Sequence, residues 1–206
     1  MLRTLLASAL FAGLIAGLFA AALQQAFLVP LIAEAELYES GAVSHFATAH
    51  EHGGAANHTH EAAGGESTRH LLTVLMTVLT TCGFALILVA AFALAERRGL
   101  ARIDHRTGLL FGLAGFAAVQ LMPALGLSPE LPGAAAGELA MRQLWWIATV
   151  IGTAAGIAQI VWGGTPARIA GAVLIAAPHL IGAPHPEAFE GVVPPELSAL
   201  FAARVL

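Results

Sequence analysis

The sequence predicts an all-α fold, a polytopic integral membrane helix bundle with about five transmembrane helices in a single membrane domain, residues 1–206. Hydrophobic residues make up 58% of the 206 residues and charged residues only 11%, against about 25% in an ordinary soluble domain. The mean hydropathy is +0.79. The chain also contains a series of apolar runs, and about 20 helical residues cross a hydrocarbon core of roughly 30 Å.

The first apolar run covers residues 5–32 and is interrupted only by Gln24, Gln25 and Pro30. The alternative is a cleaved signal peptide, with Arg3 as its basic start and the small residues 20–22 as its cleavage site. The apolar stretch before the glutamines has about 19 residues, longer than the 7–15 of a typical signal core. We therefore expect a retained helix.

Four further spans are predicted, at residues 71–95, 107–127, 144–162 and 168–183. Residues 34–70 separate the first two spans, and we expect a flexible, His-rich external loop there because bulky apolar residues are scarce. The fifth run is short: its roughly 15 apolar residues reach only about 22 Å. It contains Pro178 and His179, so we expect a kinked or broken helix.

The arginines set the expected orientation, because positive residues concentrate in short cytoplasmic loops. With a cytoplasmic N-terminus, two arginines lie outside (Arg69, Arg142) and six inside (Arg3, Arg97, Arg98, Arg102, Arg106, Arg168). We therefore expect a multi-pass protein of the inner (plasma) membrane, with the segment 34–70, the loop 128–143 and the tail after residue 183 on the outer side.

Composition excludes several classes of function. The sequence has no lysine, which removes P-loop and Schiff-base chemistry, and the single Cys82 excludes an internal disulfide. A net charge of −4 with scattered arginines does not favour nucleic acid as a partner. No catalytic motif is recognisable, so we expect neither an enzyme nor a tightly bound cofactor.

The polar segment, residues 34–70, is a candidate surface for capturing metal ions. Neutral imidazole is the commonest metal ligand and suits Co²⁺, Ni²⁺, Cu²⁺ and Zn²⁺, with carboxylates completing the ligand set. Ligand type does not choose the ion, since affinity alone would favour copper. The alternative is a solvated low-complexity segment without a defined ligand set. The candidate ligands are His45, His50, His52, His58, His60 and His70, together with Glu34, Glu36 and Glu39 where the first helix emerges.

Polar residues inside the spans suggest a path for the metal ion. Polar groups in a bilayer are costly and usually face a bundle interior or a water-filled cavity, and neighbouring prolines free backbone carbonyls. The alternative is that the glutamines only bond helix to helix. In the predicted orientation the candidates lie in the outer half of the membrane or in the tail beyond it: Gln24, Gln25, Gln120, His179 and His185.

Glycines four residues apart predict three close helix contacts, because small residues allow helix backbones to approach each other. The three pairs are Gly13/Gly17, Gly108/Gly112 and Gly152/Gly156. These contacts concern packing of the bundle and not its function.

Several segments resemble, in order and over almost the whole chain, the CbtA family of predicted cobalt transporter subunits. The matching segments are Gln24-Gln25 with Pro30 and AEAELYE (33–39), GLAGFAAVQLMPALGLSPELPG (112–133), RQLWW (142–146), and PHLIGAPHP (178–186) ahead of VVPPEL. Family members continue past VVPPEL into a further apolar segment. We therefore expect this chain to be a version truncated at its C-terminus.

The resemblance implies an inner-membrane permease subunit for uptake of a divalent transition metal, Co²⁺ before Ni²⁺ or Zn²⁺. It also implies a small one-helix partner, CbtB, within the lipid bilayer. The residues leave two other functions open: a non-transporting membrane protein that buffers or delivers metal on the periplasmic side, and a structural protein with an incidental His-rich loop.

Overall fold

The computed structural model describes residues 2–43, 65–102, 104–186 and 191–205. All regular structure in those ranges is helical, which confirms the all-α prediction. Four helices are long and apolar enough to cross a membrane, and a fifth, of 17 residues, is apolar but shorter. The helices are α1 (Leu2–Leu23), α2 (Val29–Glu39), α3 (Glu66–Arg97), α4 (His105–Phe116), α5 (Met122–Ala124), α6 (Leu139–Trp162), α7 (Thr165–Ile181) and α8 (Pro195–Val205).

A π-helical turn, Gln24–Leu28, joins α1 and α2 into one continuous helix. It continues beyond the predicted end at residue 32, so Glu34, Glu36 and Glu39 are helical rather than in a loop. The reason is an apolar stripe that continues through the acidic stretch: Leu31 and Ala35 are buried there. The predicted loop 34–70 is also shortened at its other end, because α3 begins at Glu66.

The short helix α8 packs over the end of the α1/α2 helix. Val193, Leu197 and Phe201 form a buried apolar cluster with Leu31 and Ala35. Because α8 has only 11 residues, it caps this end of the bundle without being long enough to span. Arg204 adds a hydrogen bond from its guanidinium to the carbonyl oxygen of Phe27.

Two of the three predicted glycine contacts are present. A Cβ on Gly17 would lie 2.8 Å from Cα of Val78 in α3, and a Cβ on Gly152 would lie 2.9 Å from the carbonyl oxygen of Leu174 in α7. The Gly108/Gly112 prediction is wrong within the described part of the chain. Nothing lies within 4 Å of a Cβ on Gly112, because α4 approaches α3 through the stacked rings of Phe92 and Phe111 instead.

Helices α6 and α7 form the second closely packed pair, with Thr149 and Thr153 fully buried between their neighbours. The predicted break at Pro178 is not observed: α7 continues through it to Ile181 and ends at Gly182, whose φ is +92°. A proline in the last turn removes only one intrahelical hydrogen bond. The indole Nε1–H of Trp145 donates to the carbonyl oxygen of Pro178 over 3.0 Å, which ties α6 to α7 at this point.

Candidate metal site at one end of the helix bundle

The connections alternate the direction of the long helices, so one end of the bundle collects the end of α2, the start of α3, the end of α5, the start of α6 and the end of α7. We call this the glutamine end. It holds each sequence-predicted site residue that the structure describes. His45, His50, His52, His58 and His60 lie outside the described residues.

Gln24 and Gln25 occupy the π-helical turn between α1 and α2, and both bond to α3. Oε1 of Gln25 lies 2.8 Å from Nδ1 of His70, and the Thr77 hydroxyl donates to Oε1 of Gln24 over 2.7 Å. The Nε2 amide nitrogen of Gln25 is buried without a hydrogen-bond partner in the described part of the chain. π-Helical turns inside α-helices occur frequently at functional sites.

The acidic residues at the end of α2 are not equivalent. Glu36 forms a bidentate ion pair with Arg69, in which Nη2 lies 2.7 Å from Oε1 and Nη1 lies 3.1 Å from Oε2. Its charge is therefore largely neutralised at the protein surface. Glu34 and Glu39 are exposed, and the structure gives them no ion pair with another described residue. Of the three predicted carboxylates, these two are the better placed to attract a cation.

His179 lies in the last turn of α7, against the indole of Trp145. The ring centroids are 5.5 Å apart and the planes meet at 81°, an edge-to-face contact. Nε2 of His179 is buried without a hydrogen-bond partner among the described residues. A buried imidazole nitrogen without a partner is costly and so requires an explanation. A cation that approached from the glutamine end would provide one.

Gln120 lies in a second π-helical turn, Ala117–Leu121, which joins α4 to α5 and precedes Pro123. It lines a groove between this helix and α6. Gln25 instead contacts α3, and His179 contacts α6, so no hydrogen bond within the described ranges joins the three predicted path residues. His185 is exposed in the segment after α7, where its carbonyl passes close to Gly137.

The described residues do not include a ready-made metal centre: in residues 2–43, 65–102, 104–186 and 191–205, no group of three His, Cys, Asp or Glu side chains is close enough to hold an ion. Within these ranges, His70 and His179 therefore do not belong to a three-residue ligand group.

Sequence reasoning missed three features of this end. It found the glutamines but not the π-helical turns that present them, although a glutamine followed within five residues by proline occurs at both turns. It did not identify the contact between Trp145 and His179, in which the indole is buried. It also missed the ion pair between Glu130, in the connection before α6, and Arg142, in the first turn of α6.

In the described ranges, four helices are long and apolar enough to span a bilayer, and they define a multi-pass membrane protein. The family model described as "Probable cobalt transporter subunit (CbtA)" matches residues 2–206, and the chain belongs to this family. The family resemblance inferred from the sequence motifs is thereby confirmed. No curated protein and no solved structure matches the chain.

Proposed function

We propose that this chain is the membrane permease subunit through which a divalent transition metal, Co²⁺ before Ni²⁺ or Zn²⁺, is taken up across the inner membrane. Membership of a family of probable cobalt transporter subunits supports the class of cargo. The single structural observation that carries the proposal is the buried, unpartnered Nε2 of His179 at the end of an apolar helix.

The proposed route begins at the glutamine end, on the outer side. Histidines of the segment 45–60 raise the local metal concentration, and Glu34 and Glu39 attract the ion by charge. His70 and His179 then replace part of its hydration shell with imidazole nitrogen, while Gln25 and Gln120 supply polar groups along two helices. His185, exposed on the same side, is a further early contact.

The orientation follows from the arginines: the N-terminus is cytoplasmic and the glutamine end faces outward. Single cysteines at Ala55 and Ala101, in a Cys82→Ala background, can be probed with a membrane-impermeant thiol reagent. Position 55 should label in intact spheroplasts and position 101 only after lysis. Labelling of position 101 alone in intact spheroplasts would reverse the route.

The word "subunit" in the family description implies a partner, and we propose a small one-helix protein of the CbtB type.

Uptake of radioactive cobalt by cells that lack a native cobalt uptake system tests the whole proposal. The strains carry this chain, the partner, both, or neither, with membrane amounts matched by immunoblot. Uptake that requires this chain supports a permease subunit.

An absence of uptake would point to one of the two other functions. If this chain binds Co²⁺ in purified form but adds nothing to uptake in any strain, it is a metal buffer or chaperone of the outer face. If it neither binds nor transports metal, its histidines are incidental and the chain is a structural membrane protein.

A further inference from the structure

An open groove of about 580 Å³ lies between the α4/α5 helix and the first turns of α6, at the glutamine end. Most of its surface is apolar. The apolar lining comprises Val119, Pro123, Leu127, Leu139, Trp146 and Ile147. The groove is open on one side, where Leu139 is 63% and Ile147 48% exposed.

An ion pair marks the polar end of this groove. Nη2 of Arg142 lies 2.5 Å from Oε2 of Glu130, and only 24% and 25% of these side chains are exposed. The Nε of Arg142 is buried without a hydrogen-bond partner in the described part of the chain. The groove therefore presents one positive and one negative group side by side, with no net charge.

The depth of the groove corresponds to a membrane boundary. Helix α5 ends at Ala124, and α6 begins at Leu139, so Glu130 and Arg142 lie in or next to the connecting segment while Ile147 lies within the span. Trp146, 37% exposed, stands between the two levels, as aromatic residues do at the interface. The polar pair thus lies at head-group level and the apolar lining at acyl-chain level.

We propose that this groove binds one phospholipid with an ammonium-bearing zwitterionic head group, phosphatidylethanolamine. Its phosphate pairs with Arg142 and its ammonium group with Glu130, while one acyl chain follows Pro123, Leu139 and Ile147. Arginine binds phosphate oxygens well because its donors form a planar fork. The lipid matches the charges of the pair one for one.

The same chemistry selects against the other common head groups. Phosphatidylglycerol brings no cation for Glu130, so its phosphate and the Glu130 carboxylate would have to share the single positive charge of Arg142. The trimethylammonium group of phosphatidylcholine carries the charge but cannot donate a hydrogen bond. Selectivity thus depends on Glu130, whereas retention of phospholipid in general depends on Arg142 and the apolar lining.

The test uses the full-length protein, purified without added metal from membranes or nanodiscs with equal parts of the three lipids, and native mass spectrometry of the retained lipid. We expect phosphatidylethanolamine to be enriched about fivefold over the mixture. Glu130→Gln should abolish this preference. Glu138→Gln, which removes the same charge from an exposed residue outside the groove, should leave it unchanged.

A second variant fills the groove. Ala124→Phe places a ring among the lining residues and should displace the lipid of any head group. The proposal is wrong if phosphatidylethanolamine is not enriched, if Glu130→Gln keeps the full preference, or if Ala124→Phe retains as much lipid. If the unmodified protein is instead a dimer without bound lipid, and Ala124→Phe makes it monomeric, the groove binds a second copy of the chain. Because metal is absent throughout, these outcomes are independent of the proposed transport.

Discussion

The side-chain oxygen of Gln25 lies 2.8 Å from Nδ1 of His70, across the contact between the α1/α2 helix and α3. With the amide oxygen facing the ring, Nδ1 is the nitrogen that donates, and the lone pair of the neutral ring lies on Nε2. Metal-binding histidines are commonly fixed in this way by a hydrogen bond to the other ring nitrogen. On the proposed route, Gln25 would therefore position the His70 ring for metal binding.

This relationship predicts that Gln25→Ala weakens Co²⁺ binding by the purified full-length protein about tenfold, because loss of such a supporting partner typically costs 10–100-fold in affinity. Gln24→Ala is the matched control, since the side-chain oxygen of Gln24 accepts a hydrogen bond from the Thr77 hydroxyl and does not contact an imidazole. The affinities are measured by calorimetry, and the visible absorption of bound Co²⁺ reports a change of ligand geometry. Equal losses for both variants would contradict a specific role for Gln25.

The ion pair between Glu36 and Arg69 predicts a difference between neighbouring carboxylates. Glu34→Gln should lower cobalt uptake at low metal about twofold, because it removes a carboxylate that attracts the cation. Glu36→Gln combined with Arg69→Gln should lower it less, since these two groups together carry no net charge. Initial uptake rates at low and high cobalt, at two ionic strengths, measure the effect. A larger loss for the double variant than for Glu34→Gln would contradict this difference.

Much of this fold could be predicted from the sequence because it depends on apolar run length. The runs around residues 71–95 and 144–162 gave α3 and α6, since a stretch of that length must be helical to satisfy its backbone in a bilayer. The predicted ends of the helices were less accurate. Helix α2 continues through Glu34, Glu36 and Glu39 because Ala35 is buried against other helices, and a local count of charged residues does not show this tertiary contact.

The site was predictable only by residue type. Gln25, Gln120 and His179 were identified as costly polar groups within apolar helices, and they do lie at one end of the bundle. Their partners were not predictable, because the contacts of Gln25 with His70 and of His179 with Trp145 join residues 45 and 34 positions apart. Sequence spacing alone does not encode such pairs.

The glycine contacts predict opposite effects of the same substitution. Gly17→Ala should destabilise the protein by about 1–3 kcal/mol, because its Cβ would lie 2.8 Å from the α3 backbone and the helices would have to separate. Gly112→Ala should be stabilising by about 0.5–1 kcal/mol, since the position is helical and open. Thermal unfolding of both variants in the same detergent gives the comparison. Destabilisation by Gly112→Ala would indicate a contact with another chain.

Asp104, in the connection between α3 and α4, predicts a local pH dependence. Its carboxylate accepts a hydrogen bond from the Thr107 amide, and this bond holds the pKa of Asp104 below its ordinary value of 3.8. A carboxyl group with a lowered folded-state pKa stabilises the helix start above its unfolded pKa, and the effect is lost as pH falls through the folded value.

The start of α4 should therefore fray in acid, seen as reduced amide protection at Thr107 relative to the centre of α4. Asp104→Asn keeps an N-cap acceptor that does not titrate in this range, so its protection should not change with acid. Hydrogen exchange is compared between the two proteins at each pH, which cancels the intrinsic pH dependence of exchange. An acid effect of the same size in the Asn variant would show that the cap is not its source.

The histidines of the polar segment and His179 should have separable roles in uptake. Replacing His45, His50, His52, His58 and His60 by Asn keeps the chain length and should reduce uptake mainly at low cobalt, because capture is lost while the passage remains. His179→Phe retains a ring against Trp145 but removes Nε2, so it should lower the maximal uptake rate at every cobalt concentration, by about tenfold. Rates are compared at equal amounts of protein in the membrane, with His179→Gln as a variant that restores a polar ligand and should recover part of the rate. Normal transport by His179→Phe, together with complete loss in the Asn variant, would move the essential site from the helix bundle to the polar segment.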